Sequence, residues 1–209
     1  MGQGPRWQGQ QRRIGLTGGI ATGKSTVGRW LEQLGLPVLD ADVYAREALS
    51  PDSEATHAVL KRYGSRVKAA GSPEQGEVID RTALGGIVFH DPSERAWLEA
   101  LIHPLVRKRF EGELSALRAE PAVVLMIPLL FEAGLEELCS EIWLVDCTEH
   151  QQLERLMGRD RLSKSEALAR INAQWPMHLK RNQADQILQN THGESNLRRT
   201  LEKLIGPQQ

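Results

Sequence analysis

Gly18-Gly19-Ile20-Ala21-Thr22-Gly23-Lys24-Ser25 fits the pattern GxxxxGK[ST]. Chemistry explains the spacing. Glycines let backbone N–H groups turn inward around a phosphate, and a helix starting at Lys24 aims its positive end at the same anion. The pattern assigns Lys24 to the β- and γ-phosphates and the Ser25 hydroxyl to Mg²⁺. Gly18, Gly19, Ile20, Ala21, Thr22, Gly23, Lys24, Ser25 and Thr26 are therefore the candidate nucleotide-binding residues. The context agrees. Arg13–Thr17 reads as a strand, and Lys24–Leu34 reads as a helix with Val27, Trp30, Leu31 and Leu34 on one face. A strand, a glycine-rich turn and an amphipathic helix in that order predict binding of ATP or GTP.

Outward from that unit the chain alternates strand-like and helix-like segments. This predicts an α/β protein, a P-loop NTPase-type parallel sheet flanked by helices. Pro37–Asp40 reads as a short second strand, and Ala41–Leu49 and Ser53–Tyr63 as helices. Val67–Glu77 reads as a loop, and Thr82–Phe89 and Ser93–Ala119 as helices, the latter broken near Pro104. Ala122–Ile127 is almost wholly apolar, as a strand covered on both faces should be. Glu141–Asp146 and Gln186–Leu188 read as further strands. Thr148/Gln151 and Ser163/Glu166 are capping boxes opening two helices, the second ended by Pro176, and Glu194–Leu204 reads as a terminal helix.

At 209 residues the chain is long enough for one domain, or one core with an insertion. It carries 26 Lys plus Arg against 27 Asp plus Glu, a formal charge of −1. No global positive field exists to hold nucleic acid or an anionic membrane, so an anionic ligand needs a local cluster of positive groups. The longest apolar run, Ala122–Phe131, is too short to cross a bilayer. Two cysteines, Cys139 and Cys147, form no metal or disulfide pattern. The Gly- and Gln-rich residues 1–12 lack the apolar core of a secretory signal. They read as a disordered tail on a cytoplasmic protein.

A phosphate loop leaves transfer and hydrolysis both open. No guanine-reading N/TKxD motif is present, and the Ala122–Ile127 strand ends in Pro128 rather than in an acidic residue. Asp40 and Asp42 instead follow the second strand, on the expected ligand edge of the sheet. One could face Mg²⁺ while the other takes a proton from an attacking hydroxyl. A helix cap and a solvated carboxylate are the alternative. Arg155 and Arg159 share one helix face and suit a lid over the phosphates, with a surface pair between Glu154 and Arg159 as the alternative. Glu132 follows a buried strand end, where a charge points to function. His103 and Arg81 are candidate substrate contacts, with a core histidine and a local Asp80–Arg81 ion pair as alternatives.

Taken together these motifs resemble the dephospho-CoA kinases over about Ile14 to Leu204. The shared features are LTGGIATGKS, Asp40-Ala41-Asp42, His103-Pro104, Pro128-Leu129-Leu130-Phe131-Glu132, the Gln152/Arg155/Arg159 helix, and Ala184-Asp185 to Asn190. The resemblance implies ATP- and Mg²⁺-dependent phosphorylation of the ribose 3′-hydroxyl of dephospho-CoA, giving CoA. It implies a helical substrate-binding insertion at about 45–120 and a lid at about 155–180, within one kinase domain from residue 13 to 209. Asp42 corresponds to the general base and Asn190 falls in the nucleotide-side segment, while Asp40 is the candidate metal contact from its place beside Asp42. Arg81, His103 and Glu132 match acceptor-side positions, and Arg155 and Arg159 match lid arginines. Ala21 and Thr22 stand where Gly and Ser are commoner. Another nucleoside or small-molecule kinase, or a non-catalytic nucleotide switch, remains open at this level. The partners implied are small molecules, with neither nucleic acid nor membrane.

Overall fold

The computed structural model describes residues 6–69, 76–191 and 194–206. Among them, five strands form one parallel sheet: β1 (Arg12–Gly18), β2 (Val38–Asp40), β3 (Ala122–Met126), β4 (Glu141–Asp146) and β5 (Gln186–Gln189). Their order is β2-β3-β1-β4-β5, with every pair parallel. The helices are α1 (Lys24–Gln33), α2 (Ala41–Ala48), α3 (Glu54–Tyr63), α4 (Arg81–His90), α5 (Pro92–Ala116), α6 (Glu149–Asp160), α7 (Lys164–Asn172), α8 (Met177–Gln183) and α9 (Glu194–Ile205). This is the sheet-and-helix architecture the alternation predicted. The chain divides into two compact units, Met1–Asp40 with Leu114–Gln209, and Ala41–Glu113.

The first unit holds the sheet. Its central strands are buried on both faces, which only near-continuous apolar sequence can support. Leu16 lies level with Met126 on one side and Trp143 on the other, and Asp40 is also level with Met126. The carboxyl ends of β1 and β2 therefore open on one sheet edge. Ile14, Leu16, Val27, Leu31, Val124, Trp143, Val145 and Leu197 make one core between sheet and helices. Trp143 is fully buried, and its indole N–H donates to Glu141 at 2.8 Å. Both cysteines are free and buried, and burial pushes the Cys139 thiol up to about 12.

Of the expected tail, residues 1–5 lie outside the described residues. Contrary to that reading, Arg6, Trp7 and Gln11 are anchored, with exposed residues 8–10 between them. Arg6 pairs with Asp185, the Trp7 N–H bonds the Cys139 carbonyl at 3.1 Å, and Gln11 donates to the Leu117 and Glu120 carbonyls. Arg13 lies over the Trp7 ring at 3.5 Å. Composition pointed to disorder, but one tryptophan and two arginines supply the anchors.

The second unit is helical. Val59, Leu60, Tyr63, Val67, Ile79 and Leu84 form its core, flanked by Leu49, Ile87 and Trp97. Ser53 caps α3 by accepting from the Thr56 N–H, and Asp80 caps α4 by accepting from Thr82 and Ala83. Asp80 is therefore a cap, and no Asp80–Arg81 bridge forms. The expected 67–77 loop carries one antiparallel bridge, Lys68 to Ile79, while residues 70–75 lie outside the described residues.

Pro104 does not break α5. A proline removes one backbone bond and strains the preceding turn, at about 3 kcal/mol. Ile102, Val106 and Phe110, spaced four apart and buried on one face, outweigh that loss. Among the described residues no helix is long and apolar enough to cross a membrane.

Candidate active site

The glycine-rich loop leaves β1 at the middle of the sheet and runs into α1. Its turn closes on itself: the Thr22 hydroxyl and N–H both donate to the Gly19 carbonyl, at 2.9 and 3.2 Å. Gly23 precedes α1 with φ 101°, in the left-handed region where glycine is favoured, and a Cβ there would collide with Asn190 Nδ2. Thr26 and Val27 N–H groups bond back to the Gly23 carbonyl, fixing the first turn of α1. Lys24 is buried and Ser25 exposed at that helix start. Ala21 holds φ 60°, which makes it the strained member of the loop.

Side chains from distant sequence pin this loop. Asn190 Nδ2 donates to the Thr22 carbonyl at 2.8 Å, and Gln152 Nε2 to the Ile20 carbonyl at 2.9 Å. The Ile20 N–H donates to Gln174 Oε1 at 2.9 Å. Gly19 accommodates these partners, because a Cβ on it would meet Gln152 Nε2 at 2.6 Å and Met177 Sδ at 2.9 Å. Asn190 is held in turn. Its N–H donates to the Asp146 carbonyl at 2.7 Å, and its carbonyl accepts from Arg155 at 3.1 Å. Asp146 is buried and takes Arg181 bidentately at 2.8 and 3.0 Å; that hydrogen bond raises the arginine above its ordinary range.

Beside the loop, β3 ends against β1. The Ile127 N–H bonds the Leu16 carbonyl, and the Thr17 hydroxyl donates to the Pro128 carbonyl at 3.2 Å. Glu132 follows, with Oε1 accepting the Trp175 N–H at 2.9 Å and lying 2.7 Å from the Lys180 ammonium. Phe131 and Trp175 stack with centroids 6.1 Å apart.

The remaining predicted residues lie as follows. Asp40 ends β2 on the loop's edge of the sheet, and Asp42 sits in the first turn of α2. Arg81 donates to the Arg46 carbonyl at 2.9 Å within the second unit. His103 is half-buried inside α5, neither at its start nor in the core. Arg159 grips Asp160 at 2.7 and 3.1 Å, and that bond holds the Asp160 carboxyl below its ordinary range. It does not pair with Glu154, which meets His150 instead. Arg155 thus reaches the loop's supports, whereas Arg159 is tied to its own helix end.

Sequence reasoning did not single out Gln174, Lys180 or Asp146, which in the structure contact Ile20, Glu132 and Asn190 respectively. It also missed α8, because Pro176 was read only as a stop. Pro176 instead opens α8, where its missing N–H loses nothing. The polar sequence Met177–Gln183 carries no strong apolar period that could have revealed it.

Comparison with known proteins bears on this arrangement. The sequence model of the dephospho-CoA kinase family matches residues 12–196. A dephospho-CoA kinase of Synechococcus sp. (strain CC9605) is 68% identical over 180 residues, covering 86% of this chain and 85% of its own. Among solved structures, a Thermus thermophilus protein superposes with a TM-score of 0.77 at 39% identity, covering 94% of this chain and 97% of its own. The dephospho-CoA kinase of Campylobacter jejuni superposes with a TM-score of 0.66 at 27% identity, over 92% and 94%. A pinned phosphate loop at the head of a parallel sheet, matched from Arg12 to Asn196 by one family's sequence pattern, leads to one conclusion: the chain belongs to the dephospho-CoA kinase family.

Proposed function

We propose that this chain transfers the γ-phosphoryl group of ATP to the ribose 3′-hydroxyl of dephospho-CoA, giving ADP and CoA. The family match over residues 12–196, which includes the loop and its Asn190 support, carries this reading. Loop amides and Lys24 hold the β- and γ-phosphates. Asp42 orients the 3′-hydroxyl and accepts its proton, and Glu132, Arg81 and His103 contact the acceptor. Arg155 and Arg159 offset charge that develops on the transferred group, Arg159 after leaving Asp160. Transition states of this kind are loose, so positioning outweighs base strength. Residues of about 45–120 serve as the acceptor-binding insertion and about 155–180 as the lid.

Mg²⁺ fits the donor set. Ser25 and Asp40 offer hard oxygen ligands, and no cluster of three or more ligating side chains exists among the described residues. A metal carried in on nucleotide phosphates needs only such a pair. When bound it would neutralise charge between the β- and γ-phosphates. We also place the enzyme in the cytoplasm, a reading supported by its two buried free thiols.

The test is incubation with ATP·Mg²⁺ and dephospho-CoA. ADP and CoA should form together in equal amounts. Release of ADP that ignores the acceptor, or turnover only with other alcohols, would overturn the reading.

A further inference from the structure

Lys180 is an unusual lysine. It lies on α8, which rests against β4, and no part of it reaches solvent. Its ammonium is 2.7 Å from Glu132 Oε1, yet Nζ meets no hydrogen-bonding geometry with any acceptor. Glu132 Oε2 is buried and likewise has no partner, while Oε1 already accepts the Trp175 N–H. An ammonium carries three donors, and an ionised carboxylate accepts at both oxygens. Removing such a pair from water is repaid only when the remaining donors and lone pairs are also satisfied. Within the chain Oε2 has no such partner, which leaves it free to accept from a donor outside the chain.

Location narrows the choice of donor. Glu132 follows the end of β3, whose neighbouring Pro128 carbonyl is bonded to Thr17, the residue just before the phosphate loop. Oε1 is fixed from two sides, by a cation and by a main-chain N–H. Oε2 is buried and has no partner within the chain, beyond the carboxyl end of β3, on the sheet edge where the glycine-rich loop also lies.

We propose that Lys180 is a positioning residue for the acceptor: it holds Glu132 with one oxygen engaged, so that the other accepts a hydrogen bond from a hydroxyl or amino group of the acceptor nucleoside. This rests on the reading of Glu132 as an acceptor contact. Lys180 touches neither substrate. It acts through the carboxylate, and its loss should weaken the acceptor and spare the nucleotide.

The experiment compares Lys180→Met, Glu132→Gln and the double variant, with KM measured separately for dephospho-CoA and ATP. Lys180→Met should raise the dephospho-CoA KM about tenfold or more, as expected for a hydrogen bond to a charged group. The ATP KM should stay within twofold. In the Glu132→Gln background the same change should add less than twofold. The double variant contains no unpaired carboxylate, so its comparison with Glu132→Gln decides the matter even if Lys180→Met alone fails to fold. Equal rises in both KM values, or a full additional loss in the double variant, would overturn the role of Lys180. An unchanged acceptor KM in Glu132→Gln would overturn the reading of Glu132 and the inference with it. Absence of wild-type turnover on dephospho-CoA would instead bring down the assigned reaction together with everything resting on it.

Discussion

The two units put their polar side chains to different uses. In the sheet unit, Asn190, Gln152 and Gln174 reach across more than a hundred residues of sequence to hold main-chain atoms of one loop. In the helical unit, the prominent polar contacts are caps such as Ser53 and Asp80 and a group at the rim of its core, where exposed Arg62 and buried Tyr63 both donate to Glu94. Long-range bonds to a backbone fix a shape that local sequence cannot fix. Caps only end helices that apolar faces already hold. Substitutions in the first set should therefore change nucleotide handling, and those in the second should change stability slightly.

The largest expected effect lies outside this contrast. Asp42→Asn should lower kcat by about 10²–10⁴-fold with little change in ATP affinity, as removal of a general base does. Steady-state rates with a separate nucleotide-binding measurement check it, and an unchanged kcat would remove Asp42 from the chemistry. Next comes Gly23→Ala. The left-handed backbone costs an alanine about 1–2 kcal/mol, and the collision with Asn190 adds to that. ATP affinity should fall about tenfold or more, and a fall in Tm should accompany it.

Asn190→Ala leaves the Thr22 carbonyl without its side-chain partner, a loss of about 1–3 kcal/mol. It should raise the ATP KM while leaving the acceptor KM close to normal. Equal shifts in both would break the distinction drawn here. Glu94→Gln should give the smallest effect, a slight drop in Tm with kcat/KM for both substrates within twofold. The Arg62 and Tyr63 hydrogen bonds hold the Glu94 carboxyl below its ordinary range. A depressed carboxyl stabilises the fold above its unfolded pKa, and that contribution fades as pH falls. The Tm gap between wild type and variant should therefore close below about pH 4.

A check on the sheet unit is chemical. With Cys139 pushed up to about 12 by burial, it remains a thiol at pH 8 and should resist thiol reagents until the protein unfolds. Rapid labelling of Cys139 in the folded enzyme would show that the core opens.

What could be read from sequence follows the range of the forces involved. The loop, the strand before it and the helix after it depend on neighbouring residues, and all three stand where the pattern put them. Both capping boxes form with both of their hydrogen bonds. Pro104 misled because the cost of a proline is local, whereas the burial of Ile102, Val106 and Phe110 is not. Asp42, Asp40 and Glu132 were singled out by their place beside strand ends and by motif. Lys180 was not, because nothing in a linear sequence distinguishes a buried lysine from an exposed one. Arg159 was read as facing the phosphates, but the acidic residue next to it is the closer partner.

The joint between α7 and α8 carries two adjacent ties of opposite kind. Gln174 uses its carboxamide, so almost any replacement cuts the tie to Ile20. Trp175 uses its amide N–H, which every amino acid except proline possesses. Mutational scanning would thus report position 174 as fastidious and position 175 as tolerant, although both hold the same corner of the enzyme. Drift at 175 can change the aromatic wall beside Phe131 without releasing the carboxylate, which leaves one half of this corner open to variation and the other closed.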